Sequence, residues 1–322
     1  MKNQLLSILT ETEDYVSGQA LAEQLGVSRQ AVWKTIKALR EDGCVINSVN
    51  NKGYKLLSLP DSLNEAAIRK YLHTAVIGKE LVVLDSVGST NDYLKRMGDD
   101  ECPNGTVVVT REQTKGKGRM GREWSSKRDE NIAFSFLLRP SITPQEVGVV
   151  TPLAGLAVCK ALREFTGLDL KIKWPNDVIL GKKKLVGILT EMSAEFDAVE
   201  YLVIGVGINV DQVEFPENIA HKASSVLLET GRHYDKNELL ACVINHLEEE
   251  FTVNRLEFSA ATAREYSSLC ATISRSVTFH RGTRSISGVA VGVNLRGELR
   301  VMLSDGSICN VNSGEVTVQG IY

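Results

Sequence analysis

The first sixty residues carry apolar positions at the spacing of short amphipathic helices, followed by a strand-type alternation. The apolar positions of three predicted helices are Leu5, Leu6, Ile8 and Leu9, then Ala20, Leu21, Ala22 and Leu25, then Val32, Ile36 and Leu39. Ser17 and Ser28 stand where a side-chain oxygen can cap the second and third helices. The predicted strands and the turn between them are Cys44–Ile46, Tyr54–Leu57 and Asn50–Gly53. Residues 1–60 are therefore predicted to form a winged helix-turn-helix domain.

The rest of the chain predicts a larger domain over residues 61–272 and a small β domain over residues 273–322. The larger region has strand patterns at Leu81–Leu84, Thr106–Thr110, Ile132–Leu138, Leu170–Trp174, Leu185–Met192 and Tyr201–Val206, and helix patterns at Glu65–Leu72, Thr90–Met97, Pro144–Phe165 and Lys236–Leu256. Strands often follow strands without a helix between them, which favours a mixed sheet over a doubly wound one. From Ser276 onward, short β runs alternate with Gly-containing turns, as in a small barrel.

Composition narrows the function classes. The chain of 322 residues has a net charge of −3, so it is not expected to coat nucleic acid or membrane along its whole length. Its six cysteines are scattered without a Cys-x-x-Cys pair, which favours reduced thiols over a disulfide frame or a zinc site. No signal peptide and no apolar run of about 18 residues is apparent. We therefore expect a cytoplasmic protein without a membrane segment.

The first domain is basic within this acidic chain. From Ser17 to Lys55 six basic residues face three acidic ones, a net charge of +3. The residues predicted to contact DNA, at the start of the third helix and in the wing, are Ser28, Arg29, Gln30, Trp33, Lys34 and Lys52. A winged helix used for protein contact is the alternative. One such module binds weakly, so specific DNA binding implies a dimer on a two-fold operator.

A glycine-rich basic segment lies between two predicted strands. Gly116–Gly121 matches G-x-G-x-x-G, but no apolar helix follows, as a dinucleotide-binding fold requires, and the chain lacks the H-R-D and D-F-G motifs of kinases. From Arg111 to Arg128 seven basic residues face two acidic ones. Glycines admit backbone N–H groups to an anion, and the cations add charge. The segment is either a phosphate-binding lid or a solvated surface loop.

Four motifs in order resemble the biotin protein ligases. They are Ser89-Thr90-Asn91, Gln113–Trp124, Lys173-Trp174-Pro175-Asn176-Asp177 with Lys184–Leu189, and Gly205-Val206-Gly207-Ile208-Asn209. Together with the terminal domains they resemble the repressor-type members. The resemblance implies an α+β fold: a winged helix-turn-helix, a mixed sheet similar to class II aminoacyl-tRNA synthetases, and an SH3-like small β-barrel. It also implies that biotin and ATP give biotinyl-AMP, which passes biotin to a lysine of a biotin carboxyl carrier domain.

The same resemblance implies residue roles. Lys184, Arg119 and Asp177 are the expected catalytic residues, with Lys184 shared between the biotin carboxylate and the α-phosphate. The expected biotin contacts are Ser89, Thr90, Asn91, Gln113, Lys117, Gly118, Arg119 and Lys184. The expected nucleotide contacts are Arg119, Arg122, Trp124, Asn176, Asp177 and Asn209. Asp177 either holds Mg²⁺ or helps deprotonate the incoming lysine, Trp124 either stacks on adenine or is a core residue, and Asn209 either contacts nucleotide or closes a strand end.

The sequence departs from the family pattern at one place and leaves two alternative functions open. The segment carries Lys115, Lys117 and Met120 where some family members have arginines, which puts the strength of adenylate retention in doubt, because lysine lacks the bidentate fork. We expect a ligase that is also a biotin-responsive repressor and forms a homodimer when the adenylate is bound. The alternatives are a ligand-sensing DNA-binding regulator without ligase activity and a lipoate-type ligase.

Overall fold

The computed structural model describes residues 1–12, 14–41, 43–49, 52–58, 62–195, 197–312 and 316–321. The chain divides into two compact units. Residues 1–72 with 235–241 form the first unit, and residues 73–234 with 242–322 form the second.

The first unit is a winged helix, as predicted. Its elements are α1 Lys2–Glu11, α2 Gly18–Leu25, α3 Arg29–Glu41, β1 Val45–Val49, β2 Gly53–Ser58 and α4 Glu65–Tyr71. The predicted apolar faces meet in one core that includes Leu5, Leu21 and Ile36. The Ser17 hydroxyl accepts a hydrogen bond from the backbone N–H of Ala20 at 3.1 Å and caps α2, as expected. Of the predicted turn between the strands, positions 50 and 51 lie outside the described residues.

The second unit is built on a seven-stranded mixed sheet. Its strands are β3 Leu81–Leu84, β4 Val107–Thr110, β5 Asn131–Leu138, β6 Lys171–Lys173, β7 Asp177–Leu180, β8 Lys183–Glu195 and β9 Ala198–Asn209. Their order is β3-β4-β5-β9-β8-β7-β6, with only the β3–β4 pair parallel. The mixed sheet is thus confirmed. Strand β7 was missed, because the Asn176-Asp177 pair reads as a turn rather than as the start of a strand.

Helices and a second sheet complete this unit. The helices are α5 Thr90–Asp99, α6 Val150–Thr166, α7 Glu217–Ala220, α8 Val226–Thr230 and α10 Ala260–Leu269, with 3₁₀ turns at Arg119–Gly121 and Pro144–Val149. Helix α9, Lys236–Asn254, belongs to this unit from Cys242 onward. The five strands of the C-terminal antiparallel sheet are β10 Ser276–Arg281, β11 Arg284–Val293, β12 Leu299–Met302, β13 Ile308–Val311 and β14 Val316–Val318. A small β domain was predicted there. Helices α7, α8 and α10 were not predicted.

One helical segment has a composition that would suit a membrane. Pro144–Thr166 is long and apolar enough to cross one, contrary to the expectation that no such run exists, although 67% of the apolar stretch is buried inside the protein. Leu153, Leu156 and Leu162 are fully buried in α6. Burial in the protein core accounts for the apolar character of this helix.

Trp174, in the turn between β6 and β7, joins the Lys173–Asp177 motif to the C-terminal region. The indole Nε1 of Trp174 donates to the carbonyl oxygen of Gly297 at 3.0 Å, and the backbone N–H of Trp174 donates to the Thr272 hydroxyl at 3.1 Å. Gly297 has φ +75°, and a Cβ there would lie 3.0 Å from the carbonyl oxygen of Gly148. The turn that binds Trp174 therefore requires glycine at position 297 for two reasons, the left-handed backbone conformation and the close packing.

We expect Gly297→Ala to lower the urea midpoint of unfolding more than Gly282→Ala does. Gly282 has φ +61°, but a Cβ at this position would meet nothing within 4 Å, so both variants carry the left-handed penalty of about 1–2 kcal/mol and only the first adds a steric cost. Equilibrium unfolding of both variants, followed by tryptophan fluorescence, measures the difference. Equal midpoints would show that the turn does not depend on this packing.

Candidate active site

Two adjoining cavities open on the second unit. A wide cavity of about 450 Å³ is lined by parts of segments 118–125, 173–177 and 209–223, by Lys184, and by Val316 and Thr317. A narrow cavity lies over β8 and β9 and is lined by Ser89–Asn91, Gln113, Lys117 and the backbone of three glycines. Gly118, Arg119, Trp124, Asn176 and Lys184 line both cavities, so they stand where the two meet.

The floor of the narrow cavity is bare backbone. Gly187 on β8 pairs with Gly207 on β9, and Gly205 lies two residues before Gly207 on the same face of β9. A Cβ on Gly207 would lie 2.4 Å from Trp124 Cε2, and a Cβ on Gly205 would lie 2.1 Å from Asn91 Oδ1. The glycines therefore make room for the Trp124 indole and for the Asn91 amide, and they leave a flat slot between them.

The Ser89–Asn91 segment and Gln113 meet at the rim of this slot. Ser89 caps α5, and the backbone N–H and the hydroxyl of Thr90 lie 2.8 and 3.1 Å from Gln113 Oε1. Within the described part of the chain, the Nε2 group of Gln113 has no hydrogen-bond partner. Two segments more than twenty residues apart thus form one rim, and Gln113 still has donors to offer a ligand.

The glycine-rich segment folds as a small hairpin, which we call the flap, residues 116–124. The N–H of Trp124 donates to Gly116 O at 2.9 Å, and the N–H of Gly118 donates to Arg122 O at 2.7 Å. Its tip is the 3₁₀ turn Arg119–Gly121. The flap places the Arg119 guanidinium 3.0 Å from Asn176 Oδ1, so a cation of the flap reaches the Lys173–Asp177 motif directly.

An ion pair lies at the junction of the cavities. Lys184 Nζ is 2.5 Å from Asp177 Oδ1, and the ammonium lies 5.4 Å from the centre of the Trp124 ring. Both side chains are mostly buried, with exposed fractions of 27% and 12%. Strands β7 and β8 bring the pair together, because Asp177 starts β7 and Lys184 lies next to the bulge where the register of the two strands shifts.

The backbone of Lys184 is fixed on its other side by residues 222–224. The N–H of Lys184 donates to Lys222 O at 2.8 Å, and the N–H of Ser224 donates to Lys184 O at 2.9 Å. Asn209 Nδ2 in turn donates to Ser224 O at 3.0 Å. Asn209 therefore closes the end of β9 and also lines the wide cavity, which keeps both roles considered from the sequence open.

Several cavity residues were missed from the sequence. Gln212, Phe215, Ile219, Lys222, Val316 and Thr317 line the wide cavity. Phe215 and Ile219 belong to a segment with no recognisable motif, and only its position directly after Gly205–Asn209 could have pointed to it. Val316 and Thr317 come from β14, so the C-terminal sheet contributes to the cavity wall.

The acidic residues around the cavity limit what metal it can hold. Among the described residues, no group of three His, Cys, Asp or Glu side chains could bind a metal ion. The lining of the wide cavity contains Asp177 and Glu123 as its carboxylates. Mg²⁺ is often held by one or two carboxylates together with substrate phosphates and water. The site therefore fits a magnesium ion that arrives with a nucleotide, not one bound by the protein alone.

The residues predicted to bind DNA are exposed on the first unit. Arg29, Gln30, Trp33 and Lys34 of α3 are all exposed, Trp33 to 54%. Ser28 Oγ accepts from the N–H of Ala31 at 3.2 Å and caps the helix, and Lys52 is exposed beside the hairpin. A large apolar ring left in solvent between cations indicates a contact surface rather than a core residue.

Family models match three successive parts of the chain. Residues 2–55 match a family model described as HTH domain, residues 83–209 match the Biotin/lipoate A/B protein ligase family, and residues 272–318 match the Biotin protein ligase C terminal domain. The chain is 39% identical to the bifunctional ligase/repressor BirA of Bacillus subtilis over 77% of this chain and 76% of that protein. It is 31% identical to BirA of Escherichia coli over 98% of this chain and 96% of that protein.

A solved structure is also similar to this chain. A biotin protein ligase from Aquifex aeolicus in complex with biotin and ATP is similar with a TM-score of 0.64 and 32% sequence identity. The match covers 75% of this chain and 99% of that one.

Proposed function

Because the chain belongs to the biotin/lipoate A/B protein ligase family, we propose that it is an ATP-dependent biotin protein ligase that also acts as a DNA-binding repressor. The observation that carries the ligase activity is the Lys184–Asp177 ion pair, placed where a narrow slot meets a wide cationic cavity. The relatives named bifunctional ligase/repressor support both activities, and the similar structure with biotin and ATP supports these two substrates.

We assign the narrow slot to biotin. Its flat glycine floor and the Trp124 indole suit a neutral bicyclic ring, and the Gln113 amide supplies a directed donor for the ureido group of that ring. Ser89, Thr90, Lys117, Gly118 and Arg119 line the same cavity, which supports the expectation that they contact biotin. The carboxylate end of biotin then lies towards Lys184, which lines both cavities.

We assign the wide cavity to ATP. Its lining includes five cationic residues, Arg119, Arg122, Lys173, Lys184 and Lys222. In the first step a carboxylate oxygen of biotin attacks the α-phosphorus of ATP, the bond to the β-phosphate oxygen breaks, and pyrophosphate leaves. The two reactants are anions that repel each other, so fixed cations at the junction lower the barrier. Lys184 and Arg119 are in place for this role, and Asn176, Asn209 and Trp124 border the nucleotide.

We propose three roles for Asp177 at the same junction. In the absence of nucleotide it balances the Lys184 ammonium in a poorly solvated place. Mg²⁺ bound with ATP would supply further positive charge on the phosphates, with Asp177 as its protein ligand. In the second step the amine of a carrier lysine attacks the acyl carbon and AMP leaves, and the Asp177 carboxylate beside Lys184 is the proposed acceptor of the amine proton.

We expect Lys184→Ala to abolish adenylation while the protein stays folded, because the junction would lose the cation shared by both anions. A loss of at least about a hundredfold in kcat is expected from the removal of one such preorganised charge. Pyrophosphate release and biotin gain on a carrier domain, followed by mass spectrometry, measure the two steps. Lys182→Ala, an exposed lysine two residues away, is the matched control. Activity retained by Lys184→Ala would contradict the assignment.

We expect Gly207→Ala to raise the KM for biotin strongly and to change the KM for ATP little. The new methyl group would occupy the space of the Trp124 ring and push it into the slot. Gly292→Ala, on a strand of the C-terminal sheet with nothing within 4 Å of a new Cβ, is the control. Steady-state kinetics with each substrate varied in turn give the two constants, and a parallel rise in both would place biotin elsewhere.

The repressor activity uses the exposed face of α3. Arg29, Gln30, Trp33 and Lys34 meet the major groove, with Ser28 at the helix start and Lys52 near the backbone phosphates. A homodimer formed with bound biotinyl-AMP would place two such faces on a two-fold operator. Among the described residues, β8 beyond Ile188 has no paired strand on the β7 side, so its backbone is open to a second copy.

We expect biotin plus ATP to increase binding to biotin-operon promoter DNA, as judged by mobility shift. Equal shifts with and without the two substrates would exclude biotinyl-AMP as the corepressor. Arg29→Ala should weaken binding by about 1–3 kcal/mol, because a base contact in the major groove is lost. Arg264→Ala, an exposed arginine of α10, is the control for a general loss of positive charge.

We further propose that the enzyme is cytoplasmic, acts on a biotin carboxyl carrier domain, and has domain bounds at 1–60, 61–272 and 273–322. The matched spans 2–55, 83–209 and 272–318 support these bounds. Competition between biotin and lipoate in the pyrophosphate assay distinguishes a lipoate-type ligase. A regulator without ligase activity would bind biotin but release no pyrophosphate.

A further inference from the structure

The Asn91 amide has every hydrogen-bonding group engaged by the protein. Its Oδ1 lies 2.6 Å from the Ser135 hydroxyl, which donates to it from β5. Its Nδ2 donates to Leu189 O at 3.3 Å and to Glu191 Oε2 at 2.8 Å. The side chain is 3% exposed, and the absent Cβ of Gly205 gives it space. Asn91 is therefore positioned to hold the start of α5 on the sheet, with no donor left for a ligand.

Glu191 is the charged partner in this arrangement. Its second oxygen, Oε1, lies 2.7 Å from Lys95 Nζ, one turn further along α5. A single carboxylate of β8 thus holds α5 at two successive turns. Burial lowers the pKa of the Lys95 ammonium, but its contacts with Glu191 and Asp92 outweigh burial and the net pKa is raised, so it stays charged at neutral pH.

The charges continue from α5 to the flap. Lys95 Nζ is 3.4 Å from Asp92 Oδ1, and Asp92 Oδ2 is 2.6 Å from Lys117 Nζ in the flap. Burial raises the pKa of the Asp92 carboxyl, but Lys117 and Lys95 together lower it overall. Alternating charges therefore run from Glu191 through Lys95 and Asp92 to Lys117, along one face of α5 and around the rim of the slot.

We propose that Glu191 is a positioning residue for biotin binding. It does not line either cavity, but it fixes Asn91 and, through α5, the Ser89–Thr90 rim and the Asp92 anchor of the flap. This inference rests on the assignment of the narrow slot to biotin. The nucleotide half of the site, built on β7, Lys184 and residues 209–223, does not depend on it.

Glu191→Ala should raise the KM for biotin about tenfold and leave the KM for ATP within about twofold, since it removes hydrogen bonds to a charged acceptor on one side of the site. Glu191→Gln keeps an acceptor for Asn91 but loses the charge that holds Lys95, so a smaller rise is expected. Glu195→Ala, an exposed carboxylate at the end of the same strand, should behave as wild type.

A double variant tests the direct pairing. Asn91→Asp places two carboxylates against each other and should weaken biotin binding more than Glu191→Gln does. Combining Asn91→Asp with Glu191→Gln restores a donor opposite an acceptor and should recover part of the loss, which simple loss of fold would not do. Biotin binding by titration calorimetry and the thermal midpoint are measured on every variant.

The outcomes separate the two proposals. If Glu191→Ala retains wild-type KM values, raises both constants equally, or changes only the thermal midpoint, the positioning role is wrong while the ligase assignment stands. Additive losses in the double variant also overturn the role. If the wild type neither binds biotin nor releases pyrophosphate with it, the ligase assignment fails, and this inference fails with it.

Discussion

The Lys184–Asp177 ion pair is the interaction on which the rest of the site depends. A poorly solvated ammonium needs an anion close by, and Asp177 provides one at 2.5 Å. Both residues come from adjacent strands, and the 222–224 segment holds the Lys184 backbone from the opposite side. A biotin carboxylate and an ATP phosphate can bind the Lys184 ammonium in place of Asp177 or together with it, while the lysine stays where it is. The fold thus positions a positive charge before the reactants bind. Fixed charges stabilise a transition state most effectively when they need no rearrangement during the reaction.

A second constraint is the space around this charge. The slot exists because strands β8 and β9, which form its floor, carry glycine at positions 187, 205 and 207. The indole of Trp124 packs on this floor from the flap and not from a strand of the sheet. Trp124 belongs to the flap, so this hairpin forms one wall of the slot. Under the proposed assignment, ordering of the flap over the ligand would exclude water, and Arg119 and Trp124 would together cover the adenylate.

The sequence predicted the residues with chemical motifs better than those that position them. Periodicity and capping serines located the winged helix, and the ordered motifs located Lys184, Asp177, Arg119 and Gln113. Phe215, Ile219 and Thr317 were missed, because they line the cavity through chain segments whose apolar or polar character is ordinary. Ser135 and Glu191 were missed for another reason: each acts on Asn91 from a different strand, and strand pairing over such distances leaves no local pattern.

The sequence put the strength of adenylate retention in doubt, because Lys115, Lys117 and Met120 stand where some family members have arginines and lysine cannot form a bidentate contact. The structure gives Lys117 a different task. Its ammonium lies against Asp92 at the start of α5, where a compact point charge on a flexible stem serves as well as a guanidinium. Under the proposed assignment, retention of the adenylate would fall to Arg119, which contacts Asn176, and to Arg122, which lines the wide cavity. The flap would then separate two functions along its length, with Lys117 anchoring it beside the proposed biotin slot and the arginines facing the proposed nucleotide cavity.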